Sequence, residues 1–207
     1  IRDLVRSRGL GDVYKRQVKV KGRENLEKNT SYVFIANHQG SFDIFLVYGF
    51  LERNFKWMMK KSLRKIPLVG KACESAGFIF VDKSSPRKIL ETIKSAEKIL
   101  QNGTSLMVFP EGARTYTGHM ADFKKGAFLI AHQLQMPVVP LTIDGPFNVL
   151  PRTGKLLHWH PMRLTIHKPI YPSGKNEENL QRIMEESYRE IEKDLPEKYK
   201  GKQYNPD

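Results

Sequence analysis

The sequence contains a single cysteine, Cys73, so no disulfide forms within the chain and no multi-cysteine zinc site can be built. That usage suits a reducing compartment. Long apolar runs are also missing. The best, Ile44 to Leu51, is eight residues long against the roughly 18 needed to span a bilayer. It reads as a buried helix, and the chain as given is not expected to cross a membrane. Acidic residues are scarce: 22 Asp and Glu stand against 35 Lys and Arg, a formal net charge of +13. That balance favours polyanionic partners, whether nucleic acid, anionic lipid, coenzyme A phosphates or an acidic carrier protein, without choosing among them. Neither a zinc-finger spacing nor an aromatic-and-basic recognition signature is found, so nucleic acid is not the expected partner. A G-x-S-x-G elbow is lacking too, which counts against a serine hydrolase. No ligand cluster argues for a metal, and no redox cofactor is expected.

With 207 residues, 40% hydrophobic and 28% charged, the chain should form one domain with a substantial core. Residues 1–17 open on Ile1 and show neither sustained periodicity nor signal-peptide architecture. They are expected to be a foreign or unstructured segment, with the native N-terminus and any anchor it carries missing. The domain is placed at 18–207. From Val18 onward, strand-like and helix-like segments alternate, predicting an α/β fold in which a mixed β-sheet is flanked by helices. Strands are expected at Ser31–Ala36, Phe55–Met59, Gly77–Val81, Leu106–Phe109, Pro137–Ile143 and Met162–His167. Pro140 demotes the fifth of these to an edge or a bulge. Helices are expected at Phe42–Leu51, at Pro86–Gln101 with Ser85 as cap and Gly103 as exit, at Phe123–Leu134 and at Glu177–Leu195. The last presents Leu180, Ile183, Met184, Tyr188 and Ile191 on one side.

Two polar blocks follow apolar strands directly. In Asn37-His38-Gln39-Gly40-Ser41-Phe42-Asp43, His38 and Asp43 are five apart, and on one regular helix they would point about 140° away from each other. They can meet if His38 sits in the turn after the strand and Asp43 in the first turn of the next helix. Asp43 would then fix the ring tautomer and leave the other nitrogen to accept a proton from a substrate hydroxyl. A strand-end histidine that only packs or caps is the plain alternative. In Phe109-Pro110-Glu111-Gly112-Ala113-Arg114-Thr115, Gly112 permits close backbone approach and Arg114 offers a fork matched to phosphate oxygens. Glu111 could orient it or accept from a substrate hydroxyl. The plain alternative is a surface turn with a local ion pair. Lys83, at the exit of the Gly77–Val81 strand, either adds charge near a phosphate or is an ordinary solvated residue. The basic run Lys60–Lys65 precedes Ile66, Pro67, Leu68 and Val69, a combination that suits a membrane surface as well as a solvated face.

In this order the blocks resemble the glycerolipid acyltransferase family, and specifically its bacterial 1-acyl-glycerol-3-phosphate acyltransferases, from about Val18 to His167. Asn37–Asp43 matches the family's NHxxxxD block and Phe109–Thr115 its FPEGTRS-like block. Gly77–Lys83 matches the block that ends in a basic residue, and Val139–Leu141 the final block. The resemblance implies a family-type α/β fold and transfer of an acyl chain from acyl-CoA or acyl-acyl carrier protein to a lysophospholipid, forming phosphatidic acid. His38 would be the general base with Asp43 its partner. Glu111, Gly112, Arg114 and Thr115 would bind the acceptor, assisted by Lys83. The chain departs from the pattern at Ala113, where Thr is common, and at Lys83, where Arg is usual. The partners implied are an anionic membrane surface, the acceptor and the thioester donor, at the cytoplasmic face of the cell membrane. The alternatives are another acceptor, such as glycerol 3-phosphate or a different lysophospholipid, and a non-catalytic basic membrane-binding protein.

Overall fold

A computed structural model describes residues 18–82 and 84–201. The proposed foreign segment 1–17 and Lys83 lie outside the described residues. Seven strands form one sheet: β1 (Val18–Lys21), β2 (Val33–Ala36), β3 (Phe55–Lys60), β4 (Ile79–Val81), β5 (Ser105–Val108), β6 (Val138–Asp144) and β7 (Met162–Ile166). Their order across the sheet is β1-β7-β6-β2-β5-β3-β4. Neighbours pair parallel except β6 with β7, which makes the sheet mixed as expected. The helices are α1 (Phe42–Phe50), α2 (Val69–Ser75), α3 (Pro86–Ile99), α4 (Gly126–Leu134), the single turn α5 (Pro146–Val149) and α6 (Glu177–Asp194).

The side-chain alternation of the central strands divides the core in two. Val33, Ile35, Leu106, Val108 and Val138 face Ala96 and Leu100 near the end of α3, residues 127–131 of α4, and Leu180, Ile183 and Ile191 of α6. Phe34, Ala36, Met107, Leu141 and Ile143 face the other way, onto Leu46, Val47 and Leu51 at α1. Covered on both sides, β2 and β5 are buried at every residue, as parallel central strands are. The helix ends follow local chemistry. Ser85 caps α3 by accepting from Lys88 N, with Pro86 in the first turn. Asn176 caps α6 through Asn179 N.

Two expectations are corrected. Pro140 is not at an edge: β6 lies between β7 and β2, and Pro140 pairs with Ile35. Its carbonyl accepts from His167 N, so its nitrogen also faces β7, just where that ladder ends at Leu141. The missing N–H therefore removes one terminal bond rather than breaking the sheet. The Ile44–Leu51 run is helical but not buried throughout. Leu46 and Val47 are inside, whereas Ile44, Phe45 and Tyr48 are exposed, Phe45 by 66%. With apolar residues on both faces of α1, composition alone could not separate core from surface. Among the described residues, no helix is long and apolar enough to cross a membrane.

Candidate active site

β2, β3, β5 and β6 all run in one direction, so their carboxyl ends share one edge of the sheet, the usual location of sites in open α/β folds. Asn37 follows β2 and fixes the turn: its amide nitrogen donates to Ile143 O at 2.8 Å and its amide oxygen accepts from Ile143 N at 2.8 Å. His38 lies outside the helix and Asp43 within the first turn of α1, with His38 Nδ1 2.6 Å from Asp43 Oδ2. Gln39 N and Gly40 N also donate to Oδ2, at 2.7 and 3.0 Å. An oxygen accepting two backbone N–H groups is an acceptor, so Nδ1–H donates and Nε2 carries the lone pair. Burial raises the Asp43 carboxyl above its ordinary value, opposed by His38 and the two backbone donors. The His38 ring stacks on Phe109 with centroids 3.9 Å apart and an interplanar angle of 6°. Phe109 in turn stacks on Trp57, which leaves the imidazole little rotational freedom.

The second block lies against the first because β2 and β5 are neighbours. His38 N donates to Glu111 Oε1 at 2.7 Å, Thr115 N donates to His38 O at 2.9 Å, and Arg114 Nη1 donates to Ser41 Oγ at 2.7 Å. The structure thus brings His38, Asp43, Glu111, Gly112, Arg114 and Thr115 together. Not all have the environment expected of ligand contacts. Glu111 is buried, and its other oxygen accepts from Ala121 N at 2.9 Å. It braces the turn that carries His38 instead of reaching into open space. Desolvation pushes its carboxyl up to about 8, with the Asp43 charge adding to that and the backbone donors opposing it. Thr115 is also buried, its hydroxyl accepting from Thr117 N and Gly118 N, so it shapes the loop from within. Arg114 is half-buried and Ala113 exposed.

Gly112 has φ 79°, and a side chain there would meet Lys124 Nζ at 3.2 Å and Lys60 Cε at 3.6 Å. Two lysines that the sequence did not assign to this site therefore converge on Gly112. Lys60 belongs to the basic run, but as the last residue of β3 it turns into the sheet edge. No local pattern marked Lys124. Lys61 pairs with Asp82 at 2.6 Å, holding the Asp82 carboxyl well below the usual range. A cavity of about 760 Å³ opens here. His38, Gly112, Lys60, Lys61 and Lys124 border it, and Ile44, Tyr48, Trp57, Met59 and Phe78 supply apolar wall. A histidine and three lysines thus border the same cavity as these apolar side chains.

The family model "Acyltransferase" matches residues 17–144, more than half of the chain. A chloroplastic 1-acyl-sn-glycerol-3-phosphate acyltransferase of Brassica napus is 35% identical over 156 residues, covering 74% of this chain and 45% of its own length. The Saccharomyces cerevisiae enzyme of the same name is 36% identical over 74% of this chain and 51% of itself. That of Helicobacter pylori is 30% identical over 79% and 73%. The chain thus spans about half the length of the plant and yeast relatives it matches. The crystal structure of the 1-acyl-sn-glycerophosphate acyltransferase PlsC from Thermotoga maritima superposes with a TM-score of 0.68 at 32% identity, covering 86% of this chain and 71% of that one. By the extent of the family match and by a fold shared along most of its length, this chain belongs to the acyltransferase family.

Proposed function

We propose that the protein transfers an acyl chain from a thioester, acyl-CoA or acyl-acyl carrier protein, to the free hydroxyl of 1-acyl-glycerol-3-phosphate, releasing phosphatidic acid. The observation that carries this reading is His38 at the border of a cavity with apolar wall and basic residues, its Nδ1 engaged by Asp43. Nε2 removes the proton from the acceptor hydroxyl as that oxygen attacks the thioester carbonyl. The tetrahedral intermediate collapses by breaking the C–S bond, and the thiolate leaves with the proton from the imidazolium. Asp43 stabilises that imidazolium while it exists. The thiolate is a good enough leaving group that no metal or redox cofactor is required. Arg114, Lys60, Lys124 and Gly112 are assigned to the acceptor phosphate, and Lys83 is assigned to assist them. Glu111 and Thr115 are assigned to holding that loop against His38. The exposed apolar side chains of α1, with Ile66, Leu68 and Val69, support work at an anionic membrane, which we place at the cytoplasmic face. The relatives' names support the acceptor.

The test is thioester release with lysophosphatidic acid, glycerol 3-phosphate and other lysophospholipids as acceptors, with products identified by mass. Release should require lysophosphatidic acid and fall at least a hundredfold in His38→Ala, as expected for loss of a general base (about 10²–10⁴-fold). Release no greater than buffer would sink the acceptor assignment. An unchanged rate in His38→Ala would sink the base.

A further inference from the structure

The connection from β6 to β7 leaves the edge of the sheet that carries His38. Residues 153–161 of it are all exposed, including three large apolar ones: Leu156 at 73%, Leu157 at 66% and Trp159 at 72%. Hydrogen bonds hold this stretch to its own base. His158 N donates to Val149 O at 2.9 Å and Gly154 N to Pro151 O at 3.0 Å. Arg152 Nη1 donates to Arg114 O at 2.9 Å, and its guanidinium lies over the Tyr116 ring, 4.0 Å from the centroid. The tip is therefore presented from a base fixed to the loop of Arg114. Within the connection itself, residues 145–161, the charged residues are Arg152 and Lys155, with no Asp or Glu. The segment also lies beyond residues 17–144, the part matched by the family model.

Exposed apolar side chains grouped in this way mark an interaction site. Two leucines and a tryptophan beside Lys155 suit the headgroup region of a bilayer, where an indole keeps its apolar body in and its N–H wet. Lys155, exposed among them, is drawn to negative lipid. We propose that Leu156, Leu157 and Trp159 form an interfacial anchor that inserts into a bilayer bearing anionic lipid. Exposed Ile44, Phe45 and Tyr48 of α1, two of which line the cavity of His38, meet the same surface and let a lipid acceptor enter from it. This deepens the proposed function, which supplies a lipid acceptor, but its test needs no turnover.

The chain has two tryptophans, and Trp57 is only 4% exposed, so Trp57→Phe makes Trp159 the sole reporter. Vesicles of phosphatidylglycerol with phosphatidylcholine should shift its emission to the blue, and brominated acyl chains should quench it. Phosphatidylcholine alone should give a smaller response. Should Trp57→Phe fail to fold, the parent chain serves, with the quenching expected to vanish in Trp159→Phe. Leu156→Ser combined with Leu157→Ser should lower the vesicle partition constant by at least about tenfold, through the apolar surface withdrawn from the interface. Thioester release with detergent-dispersed acceptor should be unchanged in that variant. Trp159 unquenched by the mixed vesicles, or a double variant that co-sediments like the parent, would overturn the proposal. So would a lipid-independent blue shift that grows with protein concentration, which would assign the tip to a second copy of the chain. Quenching that persists in a chain with no acyl transfer supports the anchor and counts only against the proposed reaction.

Discussion

Replacing Glu111 by Gln isolates one buried carboxyl whose ionisation and hydrogen bonding pull in opposite directions. Folding lifts it from an ordinary 4.5 to about 8. A carboxyl raised on folding binds its proton more tightly in the native state. Its contribution to stability is therefore fully present below pH 4.5 and is lost as pH rises toward about 8. At about 1.4 kcal/mol per unit, the loss between pH 5 and pH 8 comes to about 3–4 kcal/mol, a sizeable share of a domain's stability. The amide cannot ionise, so the variant should gain that amount relative to the parent over the same interval. Against this, the two oxygens accept from His38 N and Ala121 N, and an amide supplies only one oxygen. One buried N–H then faces an NH₂ group, costing about 1–3 kcal/mol at every pH. Urea unfolding of both chains at pH 5 and pH 8 separates the effects. Glu111→Gln should be the less stable chain at pH 5 and draw level or better at pH 8. A difference that does not change with pH would refute the reasoning, because it would mean that the two backbone donors keep the carboxylate ionised in the folded chain.

Asp43→Asn retains an acceptor for Gln39 N and Gly40 N but removes the charge facing the imidazolium. Its kcat should fall by about 10³-fold, roughly 4 kcal/mol, with KM for either substrate little changed; a fall under tenfold would confine Asp43 to positioning. Asn37→Ala removes both bonds to Ile143 and leaves a buried N–H and carbonyl unpaired. It should cost about 2–4 kcal/mol in urea unfolding, and stability within error of the parent would show that the amide is not what holds the turn.

What the sequence revealed was local. Strand, polar turn and helix are written in residues 31–51 by apolar run, glycine and apolar run, and that layout is what allowed His38 to reach Asp43. The cap of α3, Ser85 with Lys88 N, likewise depends on residues three apart. The partners that could not be read are distant ones. Asn37 meets Ile143 across 106 positions, and Lys60 reaches Gly112 because β3 lies beside β5, while Lys124 does so through its backbone bond to Pro110 O. Short helices also escaped: α2 and α5 have seven and four residues, too few for periodicity to show. Pro140 misled because the strand rule considers a missing donor without knowing where along a ladder it falls. The apolar run of α1 misled because composition does not say which face a neighbour covers.

The bonds between the two blocks change what the second one does. Had Glu111 and Arg114 merely held an anion, the loop of Arg114 and the turn of His38 could act independently. Instead, Glu111 accepts from the backbone of His38, Thr115 donates to the carbonyl of His38, and Arg114 donates to Ser41 two residues before Asp43. An arginine carries five donors, and Ser41 takes one of them without closing the fork. The remaining donors can meet a phosphate while the bond to Ser41 holds the turn that carries His38. On the proposed assignment of Arg114 to the acceptor phosphate, one side chain would touch both the acceptor and the turn bearing the proposed base, so the acceptor's charge would help set the position of His38. An acceptor without phosphate would bind beside a base that its arrival does not align, and it should lose kcat as well as affinity.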